Sequence, residues 1–335
     1  MDIVIPTIRD LSFLEKWKGI FDKHHLIIVQ DGDTARKISV PIGFDYELHN
    51  WDDIKKELGE NSWIIPRKDG GCRCFGFLKA KSKYVFCIDD DCFPAFNDSE
   101  IIDPVLQHEE NLKSFSHPDY FNTLYDGEFV RGYPFERRIG KPTAISHGLW
   151  LNVPDFDAPT QMVKPYWRNT KIVDAVVSIP RGVLYPMSAM NLAFNRELIG
   201  ITMYHGLMGE KWPLSKYDDL FAGWCSKVIC DHLGYGVKNG KPYIYHDRAS
   251  NWRDNLKREY QGLIWQEDII NFFESVRFSL DCKDVETCYL DLADQVEREL
   301  SKLDGYFIKL ASAMRVWANI WGKNSQAINS SDIMI

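Results

Sequence analysis

The sequence predicts an α/β protein with a helical C-terminal part, and three observations lead there. Short, β-prone apolar runs alternate with helix-patterned segments from residue 3 onward. Two of those runs stop abruptly on acidic triplets, Asp31-Gly32-Asp33 and Asp89-Asp90-Asp91. From Trp265 the helical pattern stands alone.

The first run covers 3–6, and a helix is expected over 11–21, where apolar residues recur at helical spacing. A second strand over 25–30 ends on Asp31-Gly32-Asp33. Gly32 permits a tight turn or close backbone approach, so this triplet could hold a ribose or base edge, or simply be a β-turn. A helix over 51–58 and a third strand over 62–66 follow, with Arg67, Lys68 and Arg73 flanking Gly70-Gly71. Those cations could meet an anion or line a solvated loop.

Residues 84–88 read as a strand buried on both faces of a parallel sheet, because the run is apolar and uncharged. In open α/β sheets ligands bind beyond the carboxyl ends of the strands, which is where Asp89-Asp90-Asp91 falls. Strand alternation would point Asp89 and Asp91 to one side and Asp90 to the other. Two converging carboxylates are hard oxygen ligands suited to Mg²⁺ or Mn²⁺; an acidic turn before Pro94 is the plainer alternative.

A surface helix is expected over 101–112. Residues 121–161 turn to Gly, Pro, aromatics and scattered charge, so loops and short strands are expected there. Trp150 could stack on a sugar ring, and arginines such as Arg138 offer forked donors for phosphate. His147 and Trp150 could equally be structural. A strand over 174–180 and an apolar run over 187–194 precede a helix over 220–233, which opens on Asp218-Asp219. Those acids could cap the helix, or one could act as a general base. A strand over 240–246 ends on His246, a plausible third ligand beside the carboxylates. Helices are expected over 267–278, 285–303 and 305–321, with a polar, frayed tail over 323–335.

The 335 residues allow about two domains, or one large α/β domain with helical additions. The division expected is 1–264, 265–322 for helices packed on it, and the tail. A content of 45% hydrophobic and 26% charged residues is globular. A net charge of −8 argues against a nucleic-acid partner. No apolar run approaches the ~18 residues of a membrane span, and no basic leader precedes the first strand. The 8 cysteines include no C-x-x-C pair, which suits reduced thiols in a cytoplasmic protein; peripheral membrane association is left open.

Several segments occur in this order in one family: Ile-Pro-Thr7-Ile-Arg9, Val-Gln-Asp31-Gly32-Asp33, Ile-Pro-Arg67 with Cys72-Arg73-x-Phe-Gly76, and Ile-Asp89-Asp90-Asp91-Cys92. Further along come Phe121-Asn-Thr-Leu-Tyr125, Val-Arg131-Gly-Tyr-Pro-Phe135, Ser146-His147-Gly-Leu-Trp150, Asp157-Ala-Pro-Thr-Gln161 and Tyr243-Ile-Tyr-His246. The chain resembles the reversibly glycosylated polypeptides, or UDP-arabinopyranose mutases, from about residue 3 to about residue 275.

The resemblance implies a GT-A-like nucleotide-sugar fold, a Rossmann-like mixed sheet flanked by helices with a C-terminal helical extension. It implies a UDP-sugar substrate, Mn²⁺ or Mg²⁺ but no flavin, and interconversion of UDP-arabinopyranose and UDP-arabinofuranose. It also implies reversible attachment of sugar to an arginine, Arg138 by position, with Arg137 beside it, and a homo-oligomer or hetero-oligomer with paralogues. Asp89, Asp91 and His246 would hold the metal. Thr7, Arg9, Asp31, Gly32, Asp33, Arg67, Arg73, Asp90, His147 and Trp150 would form the nucleotide-sugar site. Asp157, Asp218 or Asp219 would assist Arg138, since guanidinium must lose a proton to act as a nucleophile. Transfer from UDP to an external acceptor and a non-catalytic UDP-sugar-binding subunit are the alternative readings, with an aspartate-nucleophile phosphatase a weaker third.

Overall fold

The computed structural model describes residues 1–332 except 125–127, 210 and 249, with side chains described as far as residue 325. Tyr125 of the 121–125 motif and the tail residues 333–335 therefore lie outside the described residues.

Nine strands form one mixed sheet: β1 (Asp2–Thr7), β2 (His25–Gln30), β3 (Asp45–His49), β4 (Tyr84–Ile88), β5 (Cys92–Pro94), β6 (Thr143–Asn152), β7 (Val176–Ser178), β8 (Asn191–Asn195) and β9 (Gly236–His246). Their order is β3-β2-β1-β4-β8-β6-β9-β5, with β7 also on β9. β1, β2, β3 and β4 are parallel, with Ile5 opposite Ile28 and Val4 opposite Cys87. β8 runs antiparallel between β4 and β6, and β6 is parallel to β9. The carboxyl ends of β1, β4, β6 and β9 therefore lie along one edge, where β8 begins with Asn191 opposite Ile88.

Alternation along the central strands divides the core between the two faces of the sheet. Ile3, Ile5, Leu26, Ile28, Phe86 and Ile88 pack on one side with Trp17, Phe21 and Val105. Val4, Ile27, Val29, Val85 and Cys87 pack on the other, under a thick helical layer. That layer includes α2 (Arg73–Lys79), α5 (Asp218–Leu233), α6 (Trp252–Ser275), α7 (Val285–Gln295) and α8 (Tyr306–Asp332), while α1 (Trp51–Leu58) and α3 (Pro104–Lys113) follow β3 and β5 and α4 (Ala158–Val163) follows β6. α2 sits close because Gly76 has no side chain: a Cβ there would lie 2.6 Å from Val4 Cγ1. The arrangement is consistent with the GT-A-like expectation, helical C-terminal region included. No helix among the described residues is long and apolar enough to cross a membrane.

Several boundaries differ from expectation. Residues 62–66 are not a strand; a 3-10 turn, Gly59–Ile64, follows α1, and Ile64 and Ile65 are buried beneath the helical layer. Their β-prone composition reflects burial, not sheet membership. The vacant place beside β2 belongs to β3, a partly exposed edge strand whose Asp45, Glu47 and His49 hide it from a search for apolar runs. The 11–21 helix is broken into a 3-10 turn, Ser12–Trp17, and one α-helical turn, because Trp17 is pinned by stacking on Phe21 and by donating Nε1–H to the Cys92 carbonyl at 3.0 Å.

Within the glycine-rich stretch lies the 10-residue β6, while the 174–180 strand shrinks to Val176–Ser178. The run over 187–194 becomes a strand only at Asn191, and the 240–246 strand starts earlier, at Gly236. The helix expected from 267 starts at Trp252, capped by Asn251, so the 264/265 boundary falls inside α6. The 285–303 helix passes into a π turn at Val296–Leu300, and the last helix continues beyond Trp321 to Asp332.

Candidate functional site

β4 ends at Ile88, and the acid triplet lies beyond it in a turn, so strand alternation no longer dictates where its side chains point. Asp89 faces Arg73 Nη1 at 2.8 Å. Asp90 accepts the Thr7 hydroxyl at 2.7 Å and a close contact from Arg9. Asp91 lies 3.9 Å from Arg9 Nη1 and 3.7 Å from His246 Nε2. Burial raises the Asp90 pKa, against the pull of Thr7 and Arg9. Asp90 and Asp91 thus share Arg9, while Asp89 turns to Arg73.

His246 is buried at the end of β9, and its Nδ1 lies 2.6 Å from the Val153 carbonyl. A carbonyl can only accept, so Nδ1 donates to it and Nε2 is the nitrogen that faces Asp91. Fixing the tautomer through a backbone carbonyl is how metal-binding imidazoles are oriented. The Asp91 carbonyl accepts the Asp247 N–H at 2.9 Å, which ties the acid turn to the end of β9.

The other triplet divides its labour. Gly32 adopts φ +89°, and Asp31 uses Oδ1 for the Gly32 N–H at 2.7 Å and Oδ2 for the Asp69 N–H at 3.0 Å. Asp31 is thereby committed to shaping the turn. Asp33 is exposed and binds the Ala35 N–H through Oδ1 at 2.9 Å.

At the start of α5 no side chain caps the helix: Tyr217 holds the cap position, and Asp218 and Asp219 are the first two helical residues. Their charge still faces the positive helix end. Asp218 binds His205 Nδ1 at 2.9 Å; although burial opposes its ionisation, His205 and Arg73 hold its carboxyl well below the usual range. Burial lowers the His205 pKa, so the imidazole is a neutral donor. Asp219 accepts the Ala189 N–H at 3.0 Å and the Leu220 N–H at 2.9 Å. Burial and the neighbouring Asp218 charge push its pKa well up, against the Ala189 N–H and Arg73, which favours its protonated form. Arg73 is 5% exposed and donates to Gly70 and Ala189 carbonyls as well as meeting Asp89. It is built into the acid cluster and does not reach out as a loop cation.

Two further groups escaped the sequence reading. Asp69, its side chain fully buried, accepts Ser215 Oγ at 2.7 Å and Arg258 Nη2 at 3.1 Å; burial, then Asp218, raises its pKa to about 6. An acid just before Gly70-Gly71 is the signal that could have found it, since its side chain accepts the Gly71 N–H at the turn. Arg258 carries no local signal at all.

The remaining candidates sit apart. His147 is spent on both nitrogens, donating to Asn239 Oδ1 at 2.8 Å and accepting the Ser188 N–H at 3.0 Å, with burial lowering its pKa. Trp150 packs edge-on against His147, with centroids 5.7 Å apart. Arg67 lies over the Trp51 ring at 4.7 Å. Asp157 caps α4, accepting the Thr160 N–H at 2.7 Å, on the carboxyl-edge side of β6. Arg138 is elsewhere: it precedes the amino end of β6, stacks on Phe135 at 4.2 Å, and its carbonyl meets His117. Neighbouring Arg137 touches Asp119, which pairs with Arg181, and Arg181 reaches Asp231 in the last turns of α5. Asp218 opens that helix, so about 20 Å of helix separates the two neighbourhoods.

Chemically, the edge offers a carboxylate–imidazole pair, a proton-holding carboxyl and buried cations. Among the described residues no three His, Cys, Asp or Glu side chains gather closely enough to hold a metal by themselves. Asp91 and His246 nevertheless fit a hard divalent cation of the kind that takes one or two protein ligands and completes its shell with substrate phosphate and water.

A family model described as reversibly glycosylated polypeptide matches residues 1–326. A Pisum sativum protein named probable UDP-arabinopyranose mutase 1 is 58% identical over 327 residues, covering 96% of this chain and 90% of the relative. UDP-arabinopyranose mutase 1 of Oryza sativa subsp. japonica shows 58% identity with the same coverage. UDP-arabinopyranose mutase 1 of Arabidopsis thaliana is 57% identical over 96% of this chain and 92% of its own length.

Proposed function

The chain belongs to the reversibly glycosylated polypeptide family, and from that premise we propose that it interconverts UDP-arabinopyranose and UDP-arabinofuranose with the help of a divalent cation and without flavin. The observation that carries the reading is the match along almost the whole chain to relatives named for that reaction. The carboxyl edge supplies the parts the chemistry needs.

Ring contraction exchanges two oxygens at C1: the C4 hydroxyl oxygen bonds to C1 and gives up a proton, while the former ring oxygen leaves C1 and takes one. The bond from C1 to UDP breaks and re-forms, so UDP stays bound. Asp219 is suited to the proton traffic because a carboxyl with a raised pKa can donate to one oxygen and accept from the other. Asp91 and His246 are the residues to hold Mn²⁺ or Mg²⁺; when bound, such an ion draws charge from the diphosphate and improves UDP as a leaving group. Asp33, with its exposed carboxylate, is the better candidate for uridine, and Asp31 shapes its turn. Thr7 and Arg9 position Asp90 and Asp91.

Sugar attachment to Arg138 is a separate step in this reading. The arginine lies beyond the amino end of β6, so it meets the carboxyl edge of a second chain more readily than that of its own. The decisive experiment is incubation with UDP-arabinopyranose and Mn²⁺, with and without EDTA, followed by chromatography of the nucleotide sugars. A furanose peak that vanishes with EDTA is expected. Its absence from protein that binds UDP defeats the mutase reading in favour of transfer to an external acceptor.

A further inference from the structure

Arg248 follows His246 by two residues, and its side chain is only 11% exposed. Every hydrogen bond described for its guanidinium goes to an uncharged carbonyl: Nη1 to Phe156 at 3.3 Å, Nη2 to Pro154 at 3.0 Å and to Phe156 at 3.3 Å. Among the described residues its buried Nε has no partner, and the nearest carboxylate, Asp155, stands at 3.8 Å, the outer limit of an ion pair, and is itself partly exposed. Two other buried cations have close countercharge: Arg73 meets Asp89 at 2.8 Å and Lys227 meets Asp231 at 2.6 Å. A buried guanidinium without close countercharge is costly unless an anion completes it.

The backbone places this cation beside the acid turn, since the Asp247 N–H binds the Asp91 carbonyl at 2.9 Å. We infer that Arg248 binds the oxygens of the diphosphate through its guanidinium, beside the acid turn. The inference deepens the UDP-sugar reading and rests on it. The forked, always-charged guanidinium matches a phosphate geometrically and keeps the departing UDP in place while the sugar rearranges. Asp155 serves as a weak counterion that the diphosphate displaces.

Arg248 also ties down the chain at Pro154 and Phe156, so a test must separate anion binding from loop support. Calorimetric titration with UDP and with uridine, both in EDTA, does so for the wild type, Arg248→Gln and Arg248→Lys, with thermal unfolding as a check on folding. Wild-type protein is expected to prefer UDP; Arg248→Gln should weaken UDP about tenfold or more while leaving uridine unchanged, and Arg248→Lys should recover part of the loss. Equal weakening of both ligands, or an unchanged preference for UDP in Arg248→Gln, overturns the role of the arginine and leaves the UDP-sugar reading standing. A wild-type protein that binds UDP no better than uridine in EDTA overturns the role of the arginine, and one that still shows no preference with Mn²⁺ added overturns the UDP-sugar reading as well.

Discussion

Asp91 and His246 face each other at 3.7 Å, one just past the central strand β4 and the other at the end of the last strand β9. The imidazole faces the carboxylate with Nε2, because the Val153 carbonyl holds Nδ1 on the other side. Asp91→Asn and His246→Ala should each reduce mutase turnover about a hundredfold or more if the pair grips a cation. The check is Mn²⁺ binding by electron paramagnetic resonance in the presence of UDP. Full Mn²⁺ affinity in both variants would remove the pair from the mechanism.

Asp219 gives a pH prediction with a definite sign. Its pKa is raised, so if it is the acid of the proposed reaction its proton is present at lower pH and lost as pH climbs. Turnover should decline on the alkaline side, and Asp219→Asn should lower it about 10²–10⁴-fold and abolish that limb. A pH–rate profile retaining the same alkaline limb in the variant assigns the titration to another group.

Asp69 affects stability in the opposite sense from an ordinary salt-bridged acid. Folding raises its pKa from 3.8 to about 6, so the native chain holds more protons than the unfolded one between those values, and stability falls as pH rises through this window. Asp69→Asn retains an acceptor for Ser215 without the charge. Relative to this variant, wild-type stability should drop on the order of 2–3 kcal/mol between pH 4 and pH 7. Urea midpoints for the two proteins at both pH values measure the difference; a constant gap contradicts the buried-carboxyl account.

Gly76→Ala should destabilise the fold by about 1–3 kcal/mol through overpacking, despite the better helix propensity of alanine. The added methyl would lie 2.6 Å from Val4 Cγ1 and 3.1 Å from Val29 Cγ2, both side chains in the core of the sheet. Chemical denaturation with unchanged m-value is the measurement, and an Ala variant as stable as wild type would mean that α2 can lift off β1 freely.

If sugar attachment to Arg138 runs between chains, an Asp91→Asn chain should become labelled from radioactive UDP-sugar only when mixed with Arg138→Lys, which has an intact carboxyl edge but no acceptor arginine. Label that never appears on the Asp91→Asn chain in the mixture would point to movement of the Arg138 loop within its own chain.

What the sequence revealed follows from how each element earns its place. β1, β2 and β4 are buried on both faces, so their apolar runs announce them, and the acids that follow β2 and β4 mark the carboxyl edge of the sheet. β3 and β6 were obscured because an edge strand and a strand studded with His147, Gly148 and Asn152 lack that uniformity. Spacing also misjudged the triplet: once the strand ends, partners such as Arg73, Thr7 and His246 decide where each acid turns, and those come from distant segments. Asp69 with Arg258 could not be paired from sequence for the same reason, nor could Arg138 be seen to lie away from the edge.

The acid turn joins β4, in the middle of the sheet, to β5, at its far margin against β9. Its far side is fastened by the short pairing of Cys92–Pro94 with Ile244–His246, by the Trp17 bond to the Cys92 carbonyl and by the Asp247 bond to the Asp91 carbonyl. Unzipping those few residues would separate Asp91 from His246 without disturbing the central strands. A ligand gripped by both would act as a clasp on that margin, so occupancy should register as slowed amide hydrogen exchange in β5 and the end of β9 long before it alters the global unfolding of the chain.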